Sequence, residues 1–219
     1  MNLLELLNGH ADTHAGAGKI YGVVVGIVTN NQDPEKLGRV KVKFPWLTDL
    51  DESHWARLAT LMAGKDRGSF YLPEVDDEVL LVFEHGDVRF PYIIGMLWNG
   101  KDTPHYDNSD GKNDLRAITS RSGHEFVFND NDQAGKVVIH TKKNHVITLD
   151  DSAGGEKISV VDKTGSNSVV IDSNQNSIAI KSGLKLTIES TMIEIKASGM
   201  MKIEAGAILE IKGALVKIN

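Results

Sequence analysis

The residues of this 219-residue chain that could do chemistry are scattered histidines, acidic clusters and a few serines. His10 and His14 stand four apart, which on a helix would put two imidazoles on one face. That pair has no third ligand beside it, and Gly16 and Gly18 weaken the helix, so both read as linker residues. Asp76-Asp77-Glu78 and Asp49, Asp51 and Glu52 are acid clusters. Glycoside chemistry needs two carboxylates across a cleft, and acids crowded into turn-like segments read as solvated charge. His140 and His145 admit two readings: an inward imidazole from each of three chains binding an ion, or a histidine at a corner or surface, which we adopt. Ser120, Ser122 and Ser173 lack the Gly-x-Ser-x-Gly elbow of a nucleophile. Gly64-Lys65-Asp66-Arg67-Gly68 lacks the following Ser or Thr of a phosphate loop and reads as a turn. Trp46, Trp55 and Trp98 could stack bases, but single-strand binding also needs a cationic groove, and the net charge is -6. They read as core or interface. The expectation is no catalytic residue, no metal, no cofactor, no nucleic-acid partner and no enzymatic activity.

Composition bounds the alternatives. A hydrophobic fraction of 41% and a charged fraction of 25% are ordinary for a soluble chain, and no apolar run nears the roughly 20 residues of a membrane-spanning helix. With no cysteine, disulfides and thiolate sites are excluded. The opening MNLLELLNGH has no basic region and no small-residue cleavage site, so we expect assembly in the cytoplasm without a signal peptide.

Four segments follow one another. Residues 1–19 carry Leu3, Leu4, Leu6 and Leu7 ahead of Gly9 and a Gly/Ala-rich stretch: a short docking helix and linker. Residues 20–104 hold short β-like runs, Tyr21 to Thr29, Arg39 to Phe44, Glu78 to Phe83 and Pro91 to Leu97, separated by turn signals. In the second run valines alternate with cations. Several short strands without a long amphipathic helix predict a small antiparallel barrel of the oligonucleotide/oligosaccharide-binding (OB) size. Residues 105–135 are a transition. Residues 136–219 are a repeat.

The repeat consists of aliphatic-x-aliphatic pairs: Ile158/Val160, Val169/Ile171, Ile178/Ile180, Leu186/Ile188, Ile193/Ile195, Met201/Ile203, Leu209/Ile211 and Val216/Ile218. Successive second members are 11, 9, 8, 7, 8, 8 and 7 residues apart, with Val137/Ile139 and Ile147/Leu149 as wider forerunners. Within a pair both side chains share one face of a strand, and that face must be buried. A single-chain β-helix needs about 20 residues per coil, so a unit of about eight closes only a third of a circuit. Three chains are required. The predicted architecture is all-β: an OB barrel followed by an intertwined triple-stranded β-helix in a homotrimer. The sixteen pair residues form its core, and each layer comes from a different chain than the next. The rod would rise about 4.8 Å per repeat. Interspersed Lys and Glu keep its outside soluble.

Both halves resemble one family. Gly38 to Trp46, His54-Trp55-Ala56-Arg57, Leu72 to Val79, His85-Gly86-Asp87, Arg89 to Gly95 and Trp98-Asn99-Gly100, then Ser120 to Glu125 before the repeat, closely resemble baseplate assembly protein V and the valine-glycine-repeat (VgrG-like) spike proteins of contractile injection systems. The resemblance implies a structural central spike that pierces a target envelope when a sheath contracts, as part of a phage tail or tail-like particle. Its implied partners are inner tube and baseplate proteins, possible effector cargo and the target cell envelope. The family's larger members carry a hub ahead of the barrel. Here the barrel begins near residue 20, which implies a separate hub protein docked at the N-terminal end. Some relatives insert a lysozyme after the barrel, but about fifteen residues separate Gly100 from Leu115. The chain ends without a His-x-His, so by analogy a Pro-Ala-Ala-Arg (PAAR-type) tip protein would cap Val216, Lys217, Ile218 and Asn219. The alternatives are a carbohydrate-degrading tailspike enzyme and an OB-fold binder of single-stranded nucleic acid.

Overall fold

The structure is a computed structural model of one chain and describes residues 19–46 and 52–218. The leucine-rich start, His10, His14, Asp49, Asp51 and Asn219 lie outside the described residues. The chain divides into two units, Met1–Asp107 and Asn108–Asn219.

Alternation of apolar and polar residues builds the first unit. Its strands are β1 (Val24–Asn30), β2 (Lys41–Lys43), β3 (Arg57–Leu58), β4 (Ala63–Gly64), β5 (Arg67–Gly68), β6 (Glu78–Phe83) and β7 (Pro91–Leu97). Five of them form a sheet in the order β2-β1-β6-β7-β3, and β4 and β5 form a separate hairpin. The β2 edge meets the chain leading into β3: the Val40 and Ala56 backbones exchange hydrogen bonds of 3.0 and 2.7 Å. The sheet thereby curls toward closure, which fits an OB fold. Inward residues of each strand make the core, with Val28, Val40, Val42, Val79 and Leu81 fully buried and Phe44, Phe83 and Ile93 nearly so. Lys41 and Lys43 take the other face of β2. A bulge between Leu80 and Leu81 re-aims the β6–β7 pair.

The second unit contains β8 (Leu115–Thr119), β9 (Glu125–Asn129), β10 (Lys136–His140), β11 (Val146–Asp150), β12 (Lys157–Val161), β13 (Ser168–Asp172) and β14 (Ser177–Lys181). They form one antiparallel meander in chain order. The sheet therefore starts at Leu115, inside the segment that the sequence reading treats as a transition. From Ser182 to Ile218 the chain forms no strand with itself.

This corrects one expectation. At β12, β13 and β14 neighbouring layers come from the same chain, joined by hairpins, not from alternating chains. The reason lies in the connections. Eight residues separate Val160 from Val169 and six separate Ile171 from Ile178, enough to turn the chain back. After Ile180 only four or five residues separate one pair from the next, and the hairpins cease there.

Candidate functional site

The meander sorts its side chains into two faces. Direct cross-strand partners put Ile118, Phe126, Ile139, Ile147, Val160, Val169 and Ile180 in one line. Arg116, Phe128, Val137, Leu149, Ile158, Ile171 and Ile178 make a parallel line on the same face. This aliphatic face is uncovered: Ile147, Leu149, Ile158, Val160, Val169 and Ile171 keep 40–47% exposure. The opposite face is polar at its margins. Lys136, Asp150, Lys157 and Asp172 stand in line there, each opposite the other sign. Hydrogen bonds from Ser152, with the flanking Lys136 and Lys157, hold the Asp150 carboxyl below its ordinary range. The charged face satisfies itself within one chain, and the aliphatic face does not.

The connections at one end of the strands are tied to each other. The Lys142 amide donates to His124 Nδ1 (3.4 Å), the Lys163 amide to His145 Nδ1 (3.3 Å) and the Gly183 amide to Asn167 Oδ1 (3.0 Å). Beyond them the repeat continues without strand pairing within the chain. Leu186, Ile188, Ile193, Ile195, Met201, Ile203, Leu209, Ile211, Val216 and Ile218 are all exposed. Ion pairs straddle three of these: Glu194 and Lys196 (2.7 Å) flank Ile195, Lys202 and Glu204 flank Ile203, and Glu210 and Lys212 (2.6 Å) flank Ile211. Charge on one side and aliphatic carbon on the other is the same division of faces as in the meander. Of the tip residues, Val216, Lys217 and Ile218 are exposed and Asn219 lies outside the described residues.

The structure brings together six of the sixteen repeat residues, Ile158 through Ile180, and adds Ile118, Phe126 and Phe128 to their face. Phe126-x-Phe128 has the same alternation as the aliphatic pairs, and a pattern widened to aromatics would have found it.

Other singled-out residues are occupied structurally. His140 lies on the polar face, where its Nε2 donates to Glu125 Oε2 at 2.9 Å, and Thr119 Oγ1 donates to Glu125 Oε1 at 3.2 Å. Among the described residues no three His, Asp or Glu cluster to hold a metal. Asp77 accepts the Glu74 amide at 2.8 Å within the turn, and Glu78 accepts from Asn99 Nδ2 at 3.1 Å, so the acid run has no cleft between its members. Ser120 Oγ accepts the His124 amide at 3.0 Å. Lys65 and Asp66 are the turn between β4 and β5. None of the tryptophans is a core residue: Trp98 is 74% exposed, Trp46 is half exposed against Phe44, and Trp55 is half-buried beneath Arg39 and Lys41.

The barrel unit carries an open groove, between the β4–β5 hairpin, the Lys36–Arg39 loop and β7. Its apolar surface includes Leu61, Met62, Phe70 and Phe90, all more than half exposed. Lys36, Arg57, Arg67 and Arg89 ring it, with Arg57 over the Tyr92 ring at 5.5 Å.

Comparison with known proteins agrees with the barrel. Residues 24–98 match the type VI secretion system/phage-baseplate injector OB domain. The type VI secretion system spike protein VgrG1b of Pseudomonas aeruginosa is 30% identical over 140 residues, 59% of this chain and 19% of that protein. The spike protein VgrG3 of Vibrio cholerae is 30% identical over 158 residues, 65% of this chain and 16% of that protein. The actin cross-linking toxin VgrG1 of Vibrio cholerae is 28% identical over 158 residues, 65% of this chain and 14% of that protein. The match thus spans less than a fifth of each of these relatives. Residues 24–98 thus match the injector OB domain, and over about three fifths of its length the chain is similar to VgrG spike proteins.

Proposed function

We propose that three copies of this chain assemble into the central spike of a contractile injection machine. The observation that carries this is the uncovered aliphatic face of the meander and its continuation, at seven- and eight-residue spacing, to Ile218. Fully burying an aliphatic side chain stabilises by about 1.5–3 kcal/mol, and a lone chain leaves two lines of them wet. Three sheets facing inward around one axis would cover those lines, and the extended segments beyond Ser182 would wind around each other as a triple-stranded β-helix. The sixteen repeat residues are then the trimer core. The work of such an object is mechanical: driven by a contracting sheath, it concentrates force on a small area of envelope, and it needs no catalytic group.

The same reading assigns the partners. A hub protein engages the barrel end, within a baseplate at the front of an inner tube, and a PAAR-type protein caps the strand edges at Val216, Lys217 and Ile218. Effector cargo would travel with the assembly, which forms in the cytoplasm before acting on a target cell's envelope.

Sedimentation equilibrium on the purified chain tests the core of the proposal. A trimer that survives detergent is expected. A compact monomer in dilute buffer, with its isoleucines already protected from solvent, would overturn it. A PAAR-type protein should co-sediment with the trimer and lose that contact when Val216 and Ile218 are replaced by Asp.

A further inference from the structure

The groove on the barrel unit has a chemistry that the spike role does not use. Leu61 is 95% exposed, Phe70 78%, Phe90 52% and Met62 51%, an apolar concentration that single-chain surfaces seldom leave bare. Its rim carries Lys36, Arg57 and Arg67 besides Arg89, which is paired with Asp87 at 2.6 Å, in a chain of net charge -6, and the acid in its lining, Glu84, accepts the Tyr92 hydroxyl at 2.6 Å. A ligand for such a groove is apolar with an acidic group. The chain contains such a stretch, Leu3-Leu4-Glu5-Leu6-Leu7, outside the described residues. The place where the described chain begins is informative as well. Lys19 bridges to Asp87, the Ile20 amide donates to Gly86 O at 2.8 Å, and the Phe90 amide donates to Asp87 O at 3.0 Å. The preceding eighteen residues thus join the barrel at the Gly86–Asp87 turn, which leads through Phe90 into the groove's lining. The twelve steps from Leu7 to Lys19 can span up to about 40 Å when extended, ample to reach Leu61 and Phe70.

We propose that this groove binds the chain's own Leu3–Leu7, with the leucines on its apolar surface and Glu5 toward Arg57 and Arg67. A segment held there is not at the same time free to dock a hub, so the groove and a hub protein compete for it.

The test compares the full chain with the full-length Leu4→Asp/Leu7→Asp variant, following peroxide oxidation of Met62 and hydrogen exchange across residues 59–70. Both readouts lie in the barrel unit and do not depend on how many copies assemble. Met62 should oxidise several-fold faster in the variant, and excess synthetic peptide of residues 1–10 should restore the slow rate. Equal rates in the two chains would overturn the proposal: both fast would mean an empty groove, and both slow a groove covered by another copy or by another part of the chain. A faster rate that the peptide fails to restore would also count against it.

Discussion

Ile158 stands directly opposite Ile171 across β12 and β13, and the two remain 44% and 40% exposed. One residue earlier, on the other face of the same strand pair, Lys157 stands opposite Asp172. The strand pair completes its charged face from within and leaves its aliphatic face to be completed from outside. That asymmetry sets what a substitution does: a change on the charged face alters one cross-strand pair, and a change on the aliphatic face would alter the proposed trimer.

Replacing Ile195 or Ile203 with Asp should abolish the proposed trimer. Around the proposed threefold axis such a change would bury three like charges without partners, which is strongly destabilising, whereas the flanking Lys196 already pairs with Glu194 within the chain. Lys196→Ala should therefore assemble normally. Sedimentation of the two variants checks the pair, and an Ile195→Asp chain that still forms trimers would remove Ile195 from the core.

Gly26→Val should weaken the barrel without touching the second unit. A side chain at Gly26 would meet Leu81 Cδ1 at 2.8 Å, Val42 Cγ2 at 3.2 Å and the Lys43 carbonyl at 3.3 Å. Leu81 can shift, but Val42 is fully buried and the carbonyl belongs to β2, which pairs with β1. Overpacking of this kind costs about 1–3 kcal/mol. Thermal unfolding followed by tryptophan fluorescence, whose three sources Trp46, Trp55 and Trp98 all lie in the barrel unit, should report it, and an unchanged midpoint would mean that the barrel interior is looser than its packing indicates.

The barrel was legible where strands are long enough to show a period. Val40, Val42 and Phe44 alternate with Lys41 and Lys43, and the structure buries the first three. β3, β4 and β5 are two residues each, too short for any period, and they exist because of what surrounds them. The aliphatic face was legible as pairs, but its strand partners were not. A hairpin and a helical progression both put Ile158 and Val160 on one face, so parity cannot tell them apart, and only the residues between pairs separate the two cases. Phe126 and Phe128 were passed over because the pattern was read in aliphatics. Of the two readings given to the tryptophans, core or interface, the structure removes the first for Trp98, which is 74% exposed just past the barrel's last strand.

Asp33→Asn should open the loop that precedes β2. The Asp33 carboxylate is almost enclosed and accepts the Glu35, Leu37 and Arg39 amides and the Arg39 guanidinium, both ends of which lie 2.8 Å away. The Arg39 side chain foremost, then the loop amides, holds its pKa far below the usual carboxylate range. The loop also carries Lys36 and Gly38 at φ of 58° and 69°, conformations that need such support. An amide at residue 33 loses the charge and one acceptor. Trypsin should then cut after Lys36 severalfold faster than in the unaltered chain, with β1 and β6 still protected. An unchanged cleavage rate would show that the barrel, not Asp33, holds the loop.

Acid should loosen the turn between β12 and β13 before it disturbs the strands. The Asp162 carboxylate accepts from Asn167 Nδ2 at 3.0 Å, the Asn167 amide at 3.2 Å and Thr164 Oγ1 at 2.9 Å, and these bonds, Asn167's side chain first, lower its pKa from 3.8 to about 2. A carboxyl whose pKa is depressed by folding stabilises in its charged form. The contribution is complete above the unfolded value near 4 and disappears as pH falls toward 2. Hydrogen exchange of residues 162–168, corrected for the intrinsic rate at each pH, should be constant from pH 7 to 5 and rise between 4 and 2. In Asp162→Asn the protection should already be reduced at pH 7 and should no longer change through that window. A wild-type turn whose protection fell between pH 7 and 5 would show that Asp162 does not govern it.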